Sequence, residues 1–301
     1  MTETIGFIGL GHMGGAMARR LVEAGCDLIG FDTDAQRVAS LGDGRVRRAA
    51  SAREVADAAP IVFACLPSQA ASLGVSEEVA AGGAVRIHVE CSTIGVATIK
   101  AISERLGARG ISVLDAPVSG GPKGAAAGTL ALIVSGPAEA IASARPALAH
   151  LSREIKIVGD RPGQAQTCKI VNNAISICAM VVTCEAVVAG VAAGVDGNTL
   201  IDVMNVSTGR TSASVDKFPK AILPRSFDYG GSIDIGNKDL ALYLDHARAM
   251  GLSGEVIERV AAIWRDATDR LGSAADYSEV VKIFEARAGA EVRGHNKEEA
   301  T

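Results

Sequence analysis

The sequence contains few aromatic residues and no strongly basic stretch. Aromatic side chains make up 3% of its 301 residues, and the formal net charge is −4. Proteins that bind nucleic acid carry clustered Lys and Arg, often interleaved with aromatic side chains, so we expect no nucleic-acid partner. The hydrophobic fraction of 48% excludes an intrinsically disordered chain and leaves Ala, Val, Ile and Leu to build the core.

The cysteines and histidines also lack the spacing of a metal site. None of the six cysteines lies in a C-x-x-C pair, and the five histidines are scattered along the chain. The sequence therefore predicts no metal ligands. We expect the thiols to be reduced and buried in apolar surroundings, as in a cytoplasmic protein.

Targeting and membrane segments are not indicated either. The N-terminus has no basic region, and the apolar run at residues 5–8 is too short for a signal peptide, so we expect a cytoplasmic protein. Residues 170–195 are long and apolar enough to span a bilayer. They contain Asn172, Thr183 and Glu185 and have no Trp or Tyr at either end, so we predict a buried helix of a soluble protein and no membrane partner.

The first half of the chain alternates short β-branched runs with helical stretches. This alternation predicts an α/β fold, with βαβ units that form a Rossmann-type, doubly wound, mostly parallel sheet. The predicted strands are residues 5–8, 27–32, 61–66, 85–90, 112–115, 130–135 and 155–158, with helices at 14–24, 35–41 and 96–106.

The second half shows helical spacing only. After the turn at residues 159–163, a long helix is predicted at 164–193, followed by helices at 198–205, 239–250, 254–269 and 277–288. The sequence thus predicts a dinucleotide-binding domain at 1–163 and an all-helical domain at 164–288 for substrate binding and oligomerisation, joined by the long helix. Residues 289–301 are predicted to be a flexible tail.

A G-x-G-x-x-G motif lies between the first predicted strand and the first predicted helix. In this context the glycines allow a tight turn, close approach of a pyrophosphate, and packing of the helix on the strand. The alternative is a glycine turn that binds nothing. The residues predicted to bind the cofactor are Gly9, Leu10, Gly11, His12, Met13 and Gly14.

Asp32 ends the next predicted strand and indicates which cofactor binds. A carboxylate there accepts hydrogen bonds from the ribose 2′-OH and repels a 2′-phosphate. Arg37 has the charge to attract such a phosphate, but Asp32 and Asp34 oppose it. We therefore predict NAD rather than NADP.

Four further motifs follow the opening glycine motif along the chain. They are Glu90-Cys91-Ser92-Thr93-Ile94, Asp115-Ala116-Pro117-Val118-Ser119-Gly120-Gly121, Lys169-Ile170-Val171-Asn172-Asn173 and Lys238-Asp239-Leu240. Together the five motifs resemble the β-hydroxyacid dehydrogenase family, which includes 3-hydroxyisobutyrate dehydrogenase and tartronate semialdehyde reductase. The resemblance extends from Ile5 to about Ala288, with the motifs in the family's order.

The resemblance implies roles in catalysis and substrate binding. Ser119, Gly120 and Gly121 expose backbone N–H groups that suit an anion, and the resemblance makes them the site of the substrate carboxylate. The alternative for this segment is a plain turn. Lys169 and Asn173 lie four residues apart on one helical face. The resemblance makes Lys169 the general acid/base and Asn173 a substrate ligand, whereas a solvated lysine is the alternative.

Three further segments are implied to bind the cofactor. Thr93 follows a predicted strand at the edge of the sheet where ligands bind. Leu66-Pro67 and Lys238 match family residues that lie near the dinucleotide. For Lys238 the alternative is an ion pair with Asp239 or Asp234.

The expected activity is NAD-dependent, reversible oxidation of a small 3-hydroxy acid to its semialdehyde, as in 3-hydroxyisobutyrate dehydrogenase, by a homo-oligomer. The alternatives are reduction of tartronate semialdehyde, glyoxylate or succinic semialdehyde, imine reduction on the same fold, and a non-enzymatic NAD-binding module. Two departures from the family bear on the substrate. Glu90 replaces the usual aspartate, and residues 227–236 are unusually polar.

Overall fold

The chain divides into two compact units, residues 1–169 and 170–301. A computed structural model describes residues 4–42 and 44–294. The boundary between the units falls inside a long helix, beyond the predicted boundary at Gly163. The first turns of that helix are hydrogen-bonded to the sheet of the first unit, which is why they group with it.

The first unit contains a nine-stranded sheet in the order β3-β2-β1-β4-β5-β6-β8-β7, with β9 paired to β8. Neighbouring strands from β3 to β6 in that order are parallel, whereas β8 runs antiparallel to β6 and β7. This is the doubly wound order, so the predicted fold class is confirmed. The strands are Ile5–Ile8, Leu28–Phe31, Val46–Arg48, Ile61–Ala64, Ile87–Glu90, Ser112–Asp115, Val118–Ser119, Ala131–Ser135 and Glu154–Gly159, numbered β1 to β9.

Helices cover both faces of this sheet. Successive side chains of a strand point to opposite faces. Accordingly Phe7 of β1 lies in one hydrophobic cluster, where it stacks on Phe63 with ring centroids 5.9 Å apart, and Ile8 lies in the other. The helices are α1 His12–Glu23, α2 Ala35–Ala39, α3 Ala52–Ala58, α4 Gln69–Ala80, α5 Gly95–Gly107, α6 Gly121–Ala127 and α7 Ala138–Leu151.

Several of these elements are not predicted from the sequence. The sequence predicts no element at helices α3, α4, α6 and α7 or at strands β3 and β7. Helix α4 has buried serines on its inner face, Ser72 and Ser76, so its apolar periodicity is weak. Strand β3 is short and largely exposed, and so shows no alternating pattern.

The N-terminus of the long helix α8, Gln164–Ala192, is hydrogen-bonded to the carboxylate of Asp115 at the end of β6. Asp115 Oδ2 accepts hydrogen bonds from the N–H groups of Gly163 and Gln166, both at 2.9 Å. Ser135 Oγ accepts another from Ala165 at 3.0 Å. A carboxylate at a helix N-terminus satisfies free N–H groups and complements the helix dipole. These bonds therefore fix where α8 starts.

The second unit is helical, as predicted. Its core surrounds Trp264, whose Nε1 donates to the carbonyl oxygen of Ile233 at 2.8 Å. Over the part of this unit that the structure describes, the only strand-type pairing is the isolated bridge between Ser232 and Asp276. After α8 come α9 Gly197–Val206, a π-helix Ala213–Ile222, α10 Ile233–Ala249, α11 Glu255–Leu271, a 3₁₀ turn Tyr277–Val280 and α12 Val281–Ala288.

The structure differs from the prediction in the polar segment 227–236 and in the tail. Helix α10 begins at Ile233, because Ile233 and Gly236 pack against Trp264. Residues 289–294 are anchored: Val292 is buried, and its N–H donates to Glu285 Oε1 at 2.8 Å. The rest of the predicted flexible tail, 295–301, lies outside the described residues.

Candidate active site

Apart from Lys238, the residues predicted to bind the cofactor follow four adjacent parallel strands of the first unit. The glycine motif follows β1, Asp32 follows β2, Leu66 follows β4 and Thr93 follows β5. The carboxyl ends of parallel strands share one edge of the sheet. The strand order reverses at β1 between β2 and β4, which is where doubly wound folds bind ligands.

The glycine motif forms a cradle that side chains would fill. Gly9 has φ +86°, and a Cβ there would lie 2.4 Å from the carbonyl oxygen of Cys65. A Cβ on Gly14 would lie 1.9 Å from the carbonyl oxygen of Gly9, so helix α1 packs directly on the turn. A Cβ on Gly11 would meet no atom nearer than 3.5 Å, so its backbone faces open space at the start of α1. The motif therefore fits a pyrophosphate on the N-terminus of α1.

A cavity of about 530 Å³ lies in front of this cradle. Its volume is within the range of small-molecule sites, and two arginines contribute positive charge to its wall. The lining residues are Leu10, Gly11, His12, Gly15, Ala16, Arg19, Arg37 and Ser40.

Asp32 is held rigidly beside the cradle. Its Oδ2 accepts a hydrogen bond from the N–H of Leu10 at 2.6 Å, and its Oδ1 accepts one from the N–H of Asp34 at 2.8 Å. Arg37 Nη1 lies 3.6 Å from Asp32 Oδ2, and Arg37 Nε lies 3.4 Å from Asp34 Oδ2. The guanidinium of Arg37 thus already faces two carboxylates at the end of the site where a ribose would bind.

The segments around Leu66 and Thr93 are joined by the serine between them. Ser92 Oγ accepts a hydrogen bond from the N–H of Leu66 at 2.7 Å. The N–H of Ser92 in turn donates to Glu90 Oε1 at 3.0 Å, and Glu90 is fully buried. The carboxylate of Glu90 therefore fixes the turn on which Thr93 lies.

Gln166 lies in the first turn of α8, and its side chain connects the segment around Thr93 to the helix that carries Lys169. Its Oε1 accepts hydrogen bonds from the N–H groups of Ile94 and Gly95 at 3.0 and 2.9 Å. Its Nε2 donates to the carbonyl oxygen of Ser92 and to Asp115 Oδ1, both at 2.9 Å. Burial raises the pKa of Asp115, and the hydrogen bonds from Gln166 and Gly163 oppose that rise.

Lys169 lies one turn after Gln166 and is nearly buried, with 6% of its surface exposed. This burial disfavours the alternative of a solvated lysine. Ser119 ends the short strand β7, where it pairs with Ala131. Gly120 and Gly121 follow at φ +126° and +65°, and both are exposed, so their backbone groups are accessible at the start of α6.

In the second unit, Asp239 joins two predicted site residues. Asn173 Nδ2 donates to Asp239 Oδ2 at 2.7 Å, and Lys238 Nζ lies 3.3 Å from Asp239 Oδ1. The ion pair anticipated as the alternative for Lys238 is therefore present. Because Asp239 is buried, it orients the amide of Asn173.

Comparison with known proteins agrees with this geometry. Residues 4–159 match the family model for the NAD binding domain of 6-phosphogluconate dehydrogenase, and residues 163–284 match the model for the NAD-binding domain of NADP-dependent 3-hydroxyisobutyrate dehydrogenase. The chain belongs to the β-hydroxyacid dehydrogenase family.

Individual relatives place the chain within that family. It is 36% identical to a 3-hydroxyisobutyrate dehydrogenase of Pseudomonas aeruginosa over 94% of this chain and 99% of the relative. It is 35% identical to an NAD-dependent L-serine dehydrogenase of the same organism, over 95% and 99%. A structure of Mycobacterium tuberculosis 3-hydroxyisobutyrate dehydrogenase with L-serine has a TM-score of 0.87 at 31% identity, with 94% and 99% covered.

This β-hydroxyacid dehydrogenase is therefore an NAD-binding oxidoreductase that acts on a CH–OH group of a small hydroxy acid. The sequence did not single out Gln166 or Asp239 as site residues. Gln166 lies three positions before Lys169 on a largely apolar helix, so the two side chains share one helical face. That shared face is the sequence signal that could have indicated Gln166 as a site residue.

The expectation that all thiols of this β-hydroxyacid dehydrogenase are buried is wrong for four of them. Cys168 is exposed on α8, and Cys26, Cys65 and Cys178 are half-buried. Cys91 and Cys184 are buried, and burial raises the pKa of each thiol well above its usual range.

Proposed function

We propose that this protein uses NAD to oxidise a small 3-hydroxy carboxylic acid reversibly to its semialdehyde, in the manner of 3-hydroxyisobutyrate dehydrogenase. The observation that carries the proposal is the buried Lys169 on α8, four residues before Asn173, whose amide is oriented by Asp239. Relatives named for 3-hydroxyisobutyrate and L-serine support a three-carbon 3-hydroxy acid as the core of the substrate.

The proposed mechanism assigns one task to each group. The exposed backbone of Ser119, Gly120 and Gly121 binds the substrate carboxylate. Asn173 hydrogen-bonds the substrate hydroxyl, and Lys169 Nζ takes the hydroxyl proton. Bound NAD supplies the hydride acceptor, while the protein supplies position and electrostatics. In this proposal residues 1–163 bind the cofactor and residues 164–288 contribute the substrate contact of Asn173.

The preference for NAD rests on the charges around Asp32. Its carboxylate lies where it would accept hydrogen bonds from a ribose 2′-OH, and it would repel a 2′-phosphate. Arg37 is already matched by Asp32 and Asp34, so its charge does not favour a further phosphate. We expect kcat/KM with NAD to exceed kcat/KM with NADP.

Substitution of Lys169 tests the proposal. In Lys169→Ala, kcat should fall by about 10²–10⁴, the usual contribution of general acid/base catalysis, while NAD still binds. The exposed Lys156 provides a matched control, because Lys156→Ala removes a lysine that is not among the predicted site residues. NAD reduction is followed with 3-hydroxyisobutyrate, L-serine, glycerate, 3-hydroxypropionate, threonate and γ-hydroxybutyrate. A near-normal kcat in Lys169→Ala would refute the assignment.

We also propose that the protein is a cytoplasmic homo-oligomer. Helix α8 is apolar and long enough to cross a membrane by length and composition, but its inner residues pack in the core of the second unit. Its outer face exposes Ile175 and Val182, seven residues apart, by 63% and 58%. Exposed apolar stripes of this kind indicate a protein partner, and a second copy is the commonest. Light scattering should give the molar mass of a dimer or a larger oligomer, and Ile175→Glu should lower that mass.

A further inference from the structure

A buried lysine in the second unit has no part in the proposed mechanism. Lys217 lies in the π-helix and is 5% exposed. Its Nζ lies 3.3 Å from Ser176 Oγ on α8 and 3.2 Å from Ser212 Oγ. Ser176 is half-buried and Ser212 is exposed, so the ammonium lies just beneath two accessible hydroxyl groups.

No carboxylate of the described residues forms a close ion pair with Lys217. Among the described residues no carboxylate oxygen lies within 4.0 Å of Lys217 Nζ, although Asp216 is its neighbour in sequence. Asp216 is instead engaged by Lys220 and by the hydroxyl of Tyr229. A buried ammonium that shares its nearest carboxylate with another lysine is only partly neutralised, so it favours an anion that comes to it.

Aromatic rings complete the surroundings. Lys217 Nζ lies 5.7 Å from the ring centroid of Tyr229 and 5.9 Å from that of Tyr277. These ring faces favour a cation but do not neutralise it. Burial lowers the pKa of Lys217, and the charge of Asp216 opposes that change. An anion bound beside Lys217 would raise that pKa again.

The lysine lies close to the substrate ligand on α8. Ser176 is three residues after Asn173, which is a rise of about 4.5 Å along the helix axis. Lys169, Asn173 and Ser176 follow the i, i+4, i+7 spacing of one helical face. The ammonium is therefore within reach of a substituent two or three carbons long on a substrate held by Asn173.

We propose that Lys217, Ser176 and Ser212 bind a second carboxylate of the substrate. The ammonium donates to one carboxylate oxygen, and the serine hydroxyls rotate to donate to the other. The inference rests on the proposed function and narrows its substrate class to 3-hydroxy dicarboxylic acids. The second carboxylate lies two or three carbons from the carbon that carries the hydroxymethyl group.

A matched pair of substrates tests the inference. 2-(Hydroxymethyl)pentanedioate carries the second carboxylate, and 2-(hydroxymethyl)pentanoate has the same carbon chain with a methyl group in its place. NAD reduction by the full-length enzyme should show kcat/KM at least about tenfold higher for the dicarboxylate. In Lys217→Gln the dicarboxylate KM should rise about 30-fold or more, as when one partner of a buried charge pair is lost, while kcat/KM for the monocarboxylate changes less than about threefold.

Two further variants make the test independent of folding. Ser212→Ala retains the lysine and changes an exposed residue, and it should lower the preference about tenfold, the effect of one hydrogen bond to a charged group. Lys156→Gln, which changes an exposed lysine of the first unit, should leave the preference unchanged.

The outcomes separate the inference from the function on which it rests. Oxidation of both substrates by the wild type with equal kcat/KM overturns the inference alone. An equal loss on both substrates in Lys217→Gln, with the preference unchanged in Ser212→Ala, assigns Lys217 a structural role and also overturns it. If the wild type oxidises no hydroxy acid with either cofactor, the proposed function fails, and the inference fails with it.

Discussion

Among single substitutions of polar residues in the first unit, we expect replacement of Gln166 to lower the free energy of unfolding most. Its side chain forms four hydrogen bonds of 2.9–3.0 Å and is fully buried. Gln166→Ala removes all four. It leaves the N–H groups of Ile94 and Gly95 buried without their acceptor, and it takes one donor from Asp115.

The magnitude follows from the kinds of bond that are lost. Bonds between neutral groups contribute about 1 kcal/mol each, and the bond to the Asp115 carboxylate about 1.5–3 kcal/mol. A water molecule can enter the vacated space and restore part of this. We therefore expect the free energy of unfolding to fall by about 3–5 kcal/mol, which lowers Tm by about 10 °C for a unit of this size.

Denaturant unfolding followed by circular dichroism measures this loss, with Gln164→Ala as the matched control. Gln164 is the neighbouring amide at the start of α8, and its Oε1 accepts one bond, from the N–H of Arg161 at 2.9 Å. Its replacement should cost about 1 kcal/mol. A loss below about 1 kcal/mol in Gln166→Ala would refute the reasoning. We also expect kcat to fall about tenfold or more, because the Thr93 turn and Lys169 lose a common anchor.

Gln166→Glu separates the accepted from the donated bonds. It retains an oxygen for Ile94 and Gly95 but places a second carboxyl group against Asp115, whose pKa burial already raises. When folding raises the pKa of a carboxyl group, the protein loses stability as pH rises above the pKa of that group in the unfolded chain, about 4.3 for Glu. The variant should therefore approach wild-type stability near pH 4 and lose it progressively toward pH 8. A pH-independent difference from wild type would contradict this.

Three further predictions follow from single contacts. Asp32→Ser should raise the ratio of kcat/KM for NADP over NAD by about tenfold or more, because a repelling carboxylate is removed; an unchanged ratio would argue against Asp32 as the selector. Alkylation at pH 8 followed by mass spectrometry should modify Cys168 and leave Cys184 unmodified until denaturant is added, since burial raises the pKa of the Cys184 thiol. Glu285→Ala should lower the free energy of unfolding by about 2–4 kcal/mol, because it removes the nearer of two carboxylates that pair with Arg225 and the acceptor of the Val292 N–H; a change within about 0.5 kcal/mol would show that water replaces the carboxylate.

Much of the fold could be predicted because its signals are local. The turn at Gly9 needs a positive φ, and Gly14 has no room for a Cβ, so these positions can be recognised in the sequence. The runs at β1 and β4 are buried on both faces and strongly apolar. Residues that follow successive parallel strands must meet at one edge, which is why Asp32 and Thr93 could be placed near the glycine motif.

Other elements had no local signal. Strands β3 and β7 are short, and α4 has polar residues on its buried face. The segment after Gly289 has a charged composition typical of a tail, yet Val292 is buried because Glu285 and Leu223 bind the backbone around it. In each case a partner distant in the sequence supplies the stabilisation.

The doubly wound sheet, the glycine cradle and the motifs that identify the family can be predicted from the sequence, since they depend on backbone conformation and on residue order. The pairing of the polar groups can be read only from the folded chain. Gln166 lies more than 70 positions from Ile94 and Gly95, Asp239 lies 66 positions from Asn173, and Lys217 lies 41 positions from Ser176. Whether a buried polar side chain has a partner depends on which chain segments the fold brings against it, and composition and periodicity carry no information about that pairing.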